Sequence, residues 1–147
     1  MADNITEIQN IIIDEFSILD GDTEMMNFYL IDLGNKLPEL DNAFKTDEFI
    51  IKGCQSKVWM MASLDNEGKV IFSADSNTAI TKGLVSMLVR IFSNQFPDDI
   101  INAELFFPEK IGMNRFVGTQ RSNGFGAMIK QMKLYALALK TKTNSNA

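Results

Sequence analysis

The sequence predicts an α+β fold in which a small antiparallel sheet is packed against several helices. In several stretches, apolar residues recur at spacings of three and four, as they do along one face of an amphipathic helix. In another stretch, two runs of alternating apolar residues flank a turn-forming segment, which is typical of a β-hairpin. With 147 residues, 46% hydrophobic and 22% charged, the chain has the size and composition of one globular domain.

Two helices are predicted before residue 40. The first is marked by apolar residues that share one helical face, namely Ile5, Ile8, Ile12, Phe16 and Leu19. Asp22 is placed to cap the second helix, and Glu24 lies in its first turn, where a negative charge is favourable. Pro38 ends this helix, because the residue before a proline avoids helical geometry. We expect residues 40–49 to form a loop with one helical turn.

A β-hairpin is predicted from about Lys57 to Ala74. Residues 58–64 alternate in a pattern that suits a strand covered on both faces. The turn residues 65–68 follow, and residues 69–74 form the second strand. Because a two-stranded hairpin is marginally stable alone, it needs a third strand or covering helices. Ile50 and Ile51 could supply a short edge strand.

The second half of the chain is predicted to be mainly helical. A third amphipathic helix surrounds Leu84, and Pro97 starts a short helix, since proline suits the first helical position. The apolar segment around Pro108 has no clear pattern. The last helix follows residues 121–124 and carries a long apolar face, formed by Phe125, Met128, Ile129, Met132, Tyr135 and Leu139. Residues 1–140 are therefore expected to form one domain, followed by a disordered polar tail at 141–147.

The composition excludes several classes of function. The chain contains no histidine and one cysteine, which leaves no conventional zinc site, no Cys–His pair and no internal disulfide. We therefore expect no intrinsic metal and a reducing, cytoplasmic location. A net charge of −5 argues against a nucleic-acid-binding surface, and no apolar segment is long enough to cross a membrane.

Cys54 is the strongest candidate for chemistry. Gly53 before it allows another molecule to approach the backbone, and Lys52 and Lys57 could favour the nucleophilic thiolate if they came near the sulfur. An alternative is an inert, buried cysteine in a binding module, since free cysteine is often buried. A thiol peroxidase is a further alternative, but it would need a resolving thiol and a serine or threonine three residues before the cysteine, where Ile51 stands.

The segment around Cys54 resembles the signature of a known family. Residues 52–59, Lys-Gly-Cys-Gln-Ser-Lys-Val-Trp, look like the KGCQSxVW signature of the SufE family of cysteine desulfurase activators, which includes the CsdE proteins. Three other segments are similar in the same order: residues 29–38, residues 74–84 with Ala-Asp-Ser and Ile-Thr-Lys-Gly-Leu, and residues 121–130. The sequence departs from the family at Gly118-Thr119-Gln120 and across residues 102–116.

The resemblance implies a fold like that of the iron–sulfur scaffold protein IscU, with the cysteine on a loop at one end of the sheet. It also implies that Cys54 accepts persulfide sulfur from a PLP-dependent cysteine desulfurase of the SufS or CsdA type, and passes it towards iron–sulfur cluster assembly. Supporting or partner-docking residues are then expected in and around the signature: Lys52, Gly53, Gln55, Ser56, Lys57, Asp75 and Arg121.

The same resemblance assigns cofactors and partners. PLP would belong to the desulfurase, so no intrinsic cofactor is expected in this chain. A downstream iron–sulfur scaffold or other sulfur acceptor would be the second partner, and the protein itself would be a monomer or a weak homodimer. Because persulfides are easily oxidised, Cys54 is expected to be partly shielded, beside Val58 or Trp59.

Overall fold

The computed structural model describes residues 4–145, and the side chains of residues 4–142. Within this range the helices and strands are, in chain order, α1 (Ile5–Ser17), α2 (Thr23–Asn35), β1 (Val58–Leu64), β2 (Val70–Ser76), α3 (Ala79–Phe92), α4 (Pro97–Ile101), α5 (Phe107–Lys110), α6 (Met113–Val117) and α7 (Thr119–Ser145). Two short 3-10 turns, Asn42–Phe44 and Asp47–Phe49, lie between α2 and β1. The predicted α+β class is confirmed.

The first two helices begin where the sequence predicts. The Asp22 carboxylate accepts a hydrogen bond from the Met25 N–H at 3.1 Å and caps α2. Asn4 caps α1 in the same way, through the Glu7 N–H at 2.7 Å. Each cap satisfies a backbone N–H group that has no partner inside the helix.

The sheet consists of an antiparallel hairpin with a single bridge on each outer edge. Its register runs from the pair Val58 and Ser76 to the pair Leu64 and Val70. The expected edge strand is reduced to a single bridge between Ile50 and Trp59. On the other edge, Val70 bridges to Gln95, a contact that the sequence did not indicate.

Helix α3 lies at the centre of the core. It packs against α2, against β2 and against α7, while α7 also contacts α4 and β1. Phe92, Leu84 and Leu88 of α3 are fully buried, as are Phe16, Phe107 and Met128 from other helices. The hairpin and the helices thus bury one another's apolar faces, which neither could do alone.

Two glycines allow α2 and α3 to approach closely. A Cβ added to Gly83 would lie 2.1 Å from the carbonyl oxygen of Leu30, and one added to Gly34 would lie 2.7 Å from the Gly83 nitrogen. Both obstacles are backbone atoms, which cannot swing away as a side chain can. The glycines therefore set the distance between the two helices.

The region around Pro108, which had no clear pattern, forms α5 and α6. A buried glutamine on α1 holds it in place: the side-chain oxygen of Gln9 accepts hydrogen bonds from Phe106 N at 2.8 Å and Phe107 N at 3.2 Å. Its amide nitrogen donates to the Glu104 carbonyl. Buried polar groups are stable only when paired in this way.

Helix α7 is longer than predicted at both ends. It starts at Thr119 and continues through Ser145, whereas the sequence predicts a disordered tail from residue 141. Thr141 donates its hydroxyl to the Leu137 carbonyl one turn earlier, a bond that helical threonines can form. Residues 146 and 147 lie outside the described range. Among the helices of the described residues, none is long and apolar enough to span a membrane.

We expect Gly83→Ala to destabilise the protein by about 3 kcal/mol, because the added methyl group must push α2 away from α3. Gly126→Ala is the matched control. Gly126 also lies within a helix, but a Cβ there meets nothing within 4 Å, so that change should stabilise the protein by up to about 1 kcal/mol. Urea unfolding measures both; equal effects would contradict the close approach of the helices.

Candidate functional site

Cys54 lies on a short loop whose two ends are joined. The loop spans residues 52–57 and leads into β1. At its base, the Ile51 N–H donates to the Val58 carbonyl at 2.8 Å, beside the bridge between Ile50 and Trp59. The loop therefore projects from the end of the hairpin, as the family resemblance implied.

The C-terminal half of the loop is firmly anchored. The backbone of Lys57 donates to the Asn77 side chain at 3.0 Å, and its carbonyl accepts from the Ser76 hydroxyl at 2.8 Å. The hydroxyl of Ser56 accepts from Thr78 at 2.8 Å and from Thr81 at 3.3 Å. These bonds tie residues 56 and 57 to the connection between β2 and α3.

The N-terminal half of the loop rests on α7. Gly53 has φ +95°, a conformation that favours glycine, and a Cβ built there would lie 3.2 Å from the Cβ of Ala127. The Cys54 thiol donates a weak hydrogen bond to the Gly124 carbonyl at 3.4 Å. A Cβ at Gly124 would lie 3.5 Å from the sulfur, so the thiol packs directly on the helix backbone.

The half-buried Cys54 thiol opens into a small cavity of about 90 Å³. Residues from the loop, from α3 and from α7 line it: Gln55, Ser56, Thr81, Leu84, Gln120, Arg121, Gly124 and Met128. One water molecule occupies about 30 Å³ in the liquid, so the cavity has room for one further sulfur atom. Val58 and Trp59, which we expected beside Cys54, are not part of this lining.

Burial raises the pKa of the Cys54 thiol above its ordinary value. Desolvation has this direction because it disfavours the charged thiolate. Lys52 and Lys57 have exposed side chains and do not line the cavity. The thiolate stabilisation that we expect from these lysines is therefore not a feature of this conformation, in which burial disfavours the thiolate.

The structure brings some of the predicted site residues together and separates others. Gln55 and Ser56 line the cavity, and so does Arg121, whose guanidinium also donates to the Val117 carbonyl at 3.3 Å. Arg121, which the sequence places just before the last helix, lies in the first turn of α7. Helix α7 starts right after Gly118, which has φ +86°.

Asp75 lies outside the cavity and has a structural role. Its buried carboxylate contacts Lys45 Nζ at 3.1 Å and Lys82 Nζ at 3.5 Å, and it accepts from the Leu40 N–H at 3.3 Å. Burial alone would raise the pKa of Asp75, but Lys45, the Ser76 and Leu40 N–H groups and Lys82 outweigh it and lower that pKa. Asp75 thus pins the segment after α2 to the sheet and to α3.

Sequence reasoning missed the residues that α3 and α7 bring to the cysteine. The sequence indicates Gly124 only as part of a helix start, yet its carbonyl is the partner of the Cys54 thiol. The spacing of Gln120, Gly124 and Met128 places them on one helical face, so a helix starting at Thr119 would have predicted this cluster. The pairing of that face with Cys54 depends on tertiary packing.

No metal site accompanies the cavity in the part of the chain that the structure describes. There, no three residues among histidine, cysteine, aspartate and glutamate are grouped so that they could hold an ion. The candidate chemistry is therefore that of one thiol in a sheltered, partly polar cavity.

We expect Asp75→Asn to destabilise the protein by about 2 kcal/mol at neutral pH, because it leaves Lys45 and Lys82 without their buried counter-charge. Since the pKa of Asp75 is lowered in the fold, its contribution is complete above the unfolded-state pKa of about 3.9 and is lost as the pH falls further. The two proteins should therefore converge in stability in acid. Thermal unfolding across pH measures this, with Asp32→Asn at an exposed ion pair as control.

We expect Gly53→Ala to speed alkylation of native Cys54 about tenfold, because a side chain at positive φ costs about 1–2 kcal/mol and crowds Ala127, which favours release of the loop from α7. Gly68→Ala is the control: Gly68 also has positive φ, at +84°, but a Cβ there meets nothing within 4 Å. It should leave the rate unchanged. If Gly53→Ala alkylates no faster than the wild type, the packing of this loop does not control access to the thiol.

Comparison with known proteins agrees with the resemblance. Residues 10–136 match the family model of SufE, the Fe-S metabolism associated domain. The chain is 36% identical, over 119 residues, to the SufE-like protein 1, chloroplastic/mitochondrial, of Arabidopsis thaliana; the match covers 81% of this chain and 31% of that protein. The chain thus spans about a third of the length of this relative.

Among solved structures, the fold is similar to the solution structure of a hypothetical protein from Thermus thermophilus. The TM-score is 0.74 at 16% identity, and the superposition covers 91% of this chain and 96% of that one. This likeness concerns the fold alone. Because the family model covers most of the sequence and includes the Cys54 loop, the chain belongs to the SufE family.

Proposed function

We propose that this protein is a sulfur acceptor and carrier that takes persulfide sulfur onto Cys54 from a PLP-dependent cysteine desulfurase and stimulates that enzyme. The observation that carries the proposal is the placement of the single cysteine, on a loop with a half-buried thiol that opens into a cavity of about 90 Å³. Membership of a family associated with Fe–S metabolism supports it.

The transfer needs one thiolate and no redox partner. The Cys54 thiolate attacks the outer sulfur of the desulfurase cysteine persulfide and forms a new S–S bond with it. The S–S bond in the desulfurase breaks, and its electron pair leaves on the desulfurase cysteine as a thiolate. Cys54 then carries the persulfide, and neither histidine nor metal is required on the acceptor.

The cavity suits storage of the transferred sulfur. A persulfide on Cys54 adds one sulfur atom, for which the cavity has room. The Arg121 guanidinium is a hydrogen-bond donor in the lining, while Leu84 and Met128 supply apolar surface. Such surroundings shelter the outer sulfur from water and oxidants between two transfers.

Transfer requires the loop to move, because a thiol packed on Gly124 cannot meet a cysteine in another protein's active site. The hydrogen bonds of the loop are uneven: residues 56 and 57 are tied to residues 76–81, whereas Cys54 is held to α7 by its thiol. We infer that residues 52–55 swing out about Gly53 when a partner binds. Release also removes the burial that raises the Cys54 pKa, so a larger fraction of the thiol ionises than in the packed loop.

The two alternative functions are less well supported. An inert core cysteine would be fully buried, whereas Cys54 is partly exposed and borders a cavity. A thiol peroxidase requires a serine or threonine three residues before the cysteine, but the buried Ile51 occupies that position. The chain also has no second cysteine to resolve a sulfenic acid.

The cofactor and the partners follow from the proposed transfer. PLP is bound by the desulfurase, and this chain supplies the acceptor thiol without a cofactor of its own. The persulfide is then passed to an iron–sulfur scaffold or another acceptor thiol, since one cysteine cannot hold a cluster that typically needs four. A reducing compartment such as the cytoplasm suits a free thiol carrier.

We expect Cys54→Ser to abolish both sulfur acceptance and stimulation of the desulfurase, because the substitution removes the nucleophile at nearly constant volume. Mass spectrometry after incubation with a desulfurase and cysteine should detect an added sulfur atom on the wild type and none on the variant. Unchanged circular dichroism would show that the fold is intact. If the variant gained sulfur or still stimulated the enzyme, Cys54 would not be the acceptor.

A further inference from the structure

The outer face of α7 carries two exposed leucines. Leu134 and Leu137 are 48% and 49% exposed, although leucines on a helix surface are usually turned to the core. At 3.6 residues per turn, they share a face with Lys130 and Ala127. Ala127 is the residue on which Gly53 packs. This face therefore begins beside the Cys54 loop and extends along α7 towards its C-terminal end.

The surface around this face is basic. Residues 119–145 contain five Lys and Arg and no Asp or Glu, and residues 50–64 contain two lysines and no acid. Lys52, Lys57, Arg121 and Lys130 are all exposed. Two acids from other segments act on α7: Glu48 lies near Tyr135, and Asp98 pairs with Lys140.

A second, acidic part of the chain comprises α1, α2 and the turn between them. Residues 4–35 contain seven Asp and Glu, whereas the first Lys or Arg of the chain is Lys36. This acidic part also has exposed apolar residues, Met25 at 48% and Phe28 at 58%. The protein thus has two apolar surfaces of opposite charge, and the basic one is continuous with Cys54.

We propose that Leu134 and Leu137, with Lys130 beside them, form the anchor of the surface that docks the desulfurase, and that the matching desulfurase surface is apolar with an acidic rim. The inference rests on the proposed function and names the surface it requires. The desulfurase must bring its persulfide to Cys54, so the surface that it contacts must include residues next to the Cys54 loop.

The dimensions agree with this footprint. With a rise of about 1.5 Å per residue, Leu134 and Leu137 lie about 10 and 15 Å along α7 from Ala127. A standard interface buries about 800 Å² on each partner, equivalent to a disc about 16 Å in radius. A disc of that size centred on the loop reaches both leucines. Exposed apolar residues beside charged ones are typical of such interfaces.

The test compares two double variants with matched exposure. Leu134→Gln with Leu137→Gln removes the apolar anchor and keeps good helix formers. Met25→Gln with Phe28→Gln makes the same kind of change on the acidic surface. For a purified PLP-dependent cysteine desulfurase from the same organism, we expect the α7 variant to raise the half-saturating concentration at least tenfold and to keep the rate at saturation. The α2 variant should behave as the wild type.

Direct binding separates this inference from the proposed function. The leucine substitutions, made in Cys54→Ser protein, should raise the dissociation constant for the desulfurase at least tenfold. Raised salt should weaken binding of the Cys54→Ser protein, which is the parent of this variant. If the α7 variant binds as well as its parent, or if the parent does not bind, the docking surface is wrong. If the parent binds but the wild type takes up no sulfur, the docking surface stands and the proposed function fails.

The same variants test the alternative occupant, a second copy of this chain. The basic α7 surface of one copy and the acidic α2 surface of another could pair head to tail. Sedimentation of the protein alone should give a monomer for all three proteins at the assay concentration. A wild-type oligomer that both double variants dissociate would assign these leucines to self-association and overturn their role in docking the desulfurase.

Discussion

The contact between the Cys54 thiol and the backbone of α7 at Gly124 depends on two elements that are positioned independently. Helix α7 is fixed by its buried face, which includes Met128 and Met132, and by the Tyr135 hydroxyl, which donates to the Met60 carbonyl on β1. The loop is fixed by the hairpin and by its bonds to residues 76–81. Because each support is made without the thiol, Cys54 can leave α7 while the fold stays intact. The rest of the structure holds the Cys54 loop and α7 at contact distance.

The segments that carried the family resemblance have separate structural roles around this contact. Residues 29–34 of α2 and residues 82–84 of α3 meet at Gly34 and Gly83, where only hydrogen fits. This packing fixes α3, whose Thr81 and Leu84 line the cavity. Asp75 then ties the segment before the loop to the same helix. Motifs far apart in the sequence therefore act together to position one sulfur atom.

Much of the fold follows from local patterns, and the assembly of the site does not. The Asp22 cap, the hairpin and the helix around Leu84 could be predicted because neighbouring residues determine them. The segment around Pro108 could not, since its order depends on Gln9, about a hundred residues away. Cys54 could be singled out because its segment resembles the family signature and because it is the one cysteine in the sequence. Other features depend on burial, which the neighbouring sequence does not indicate. These are the raised pKa of Cys54, the separation of Lys52 and Lys57 from the cavity, and the structural role of Asp75.

The central claim is that packing against α7 shelters the sulfur carried by Cys54 in the free protein. Its most direct test is the rate at which persulfide-loaded protein loses its outer sulfur to a small thiol reductant, measured on the native protein and in urea that unfolds it. We expect loss from the native protein to be at least about tenfold slower. A free-energy difference of about 1.4 kcal/mol in favour of the packed loop over the released loop gives that factor. Equal rates in the two states would contradict the claim, because the folded chain would then give the sulfur no protection.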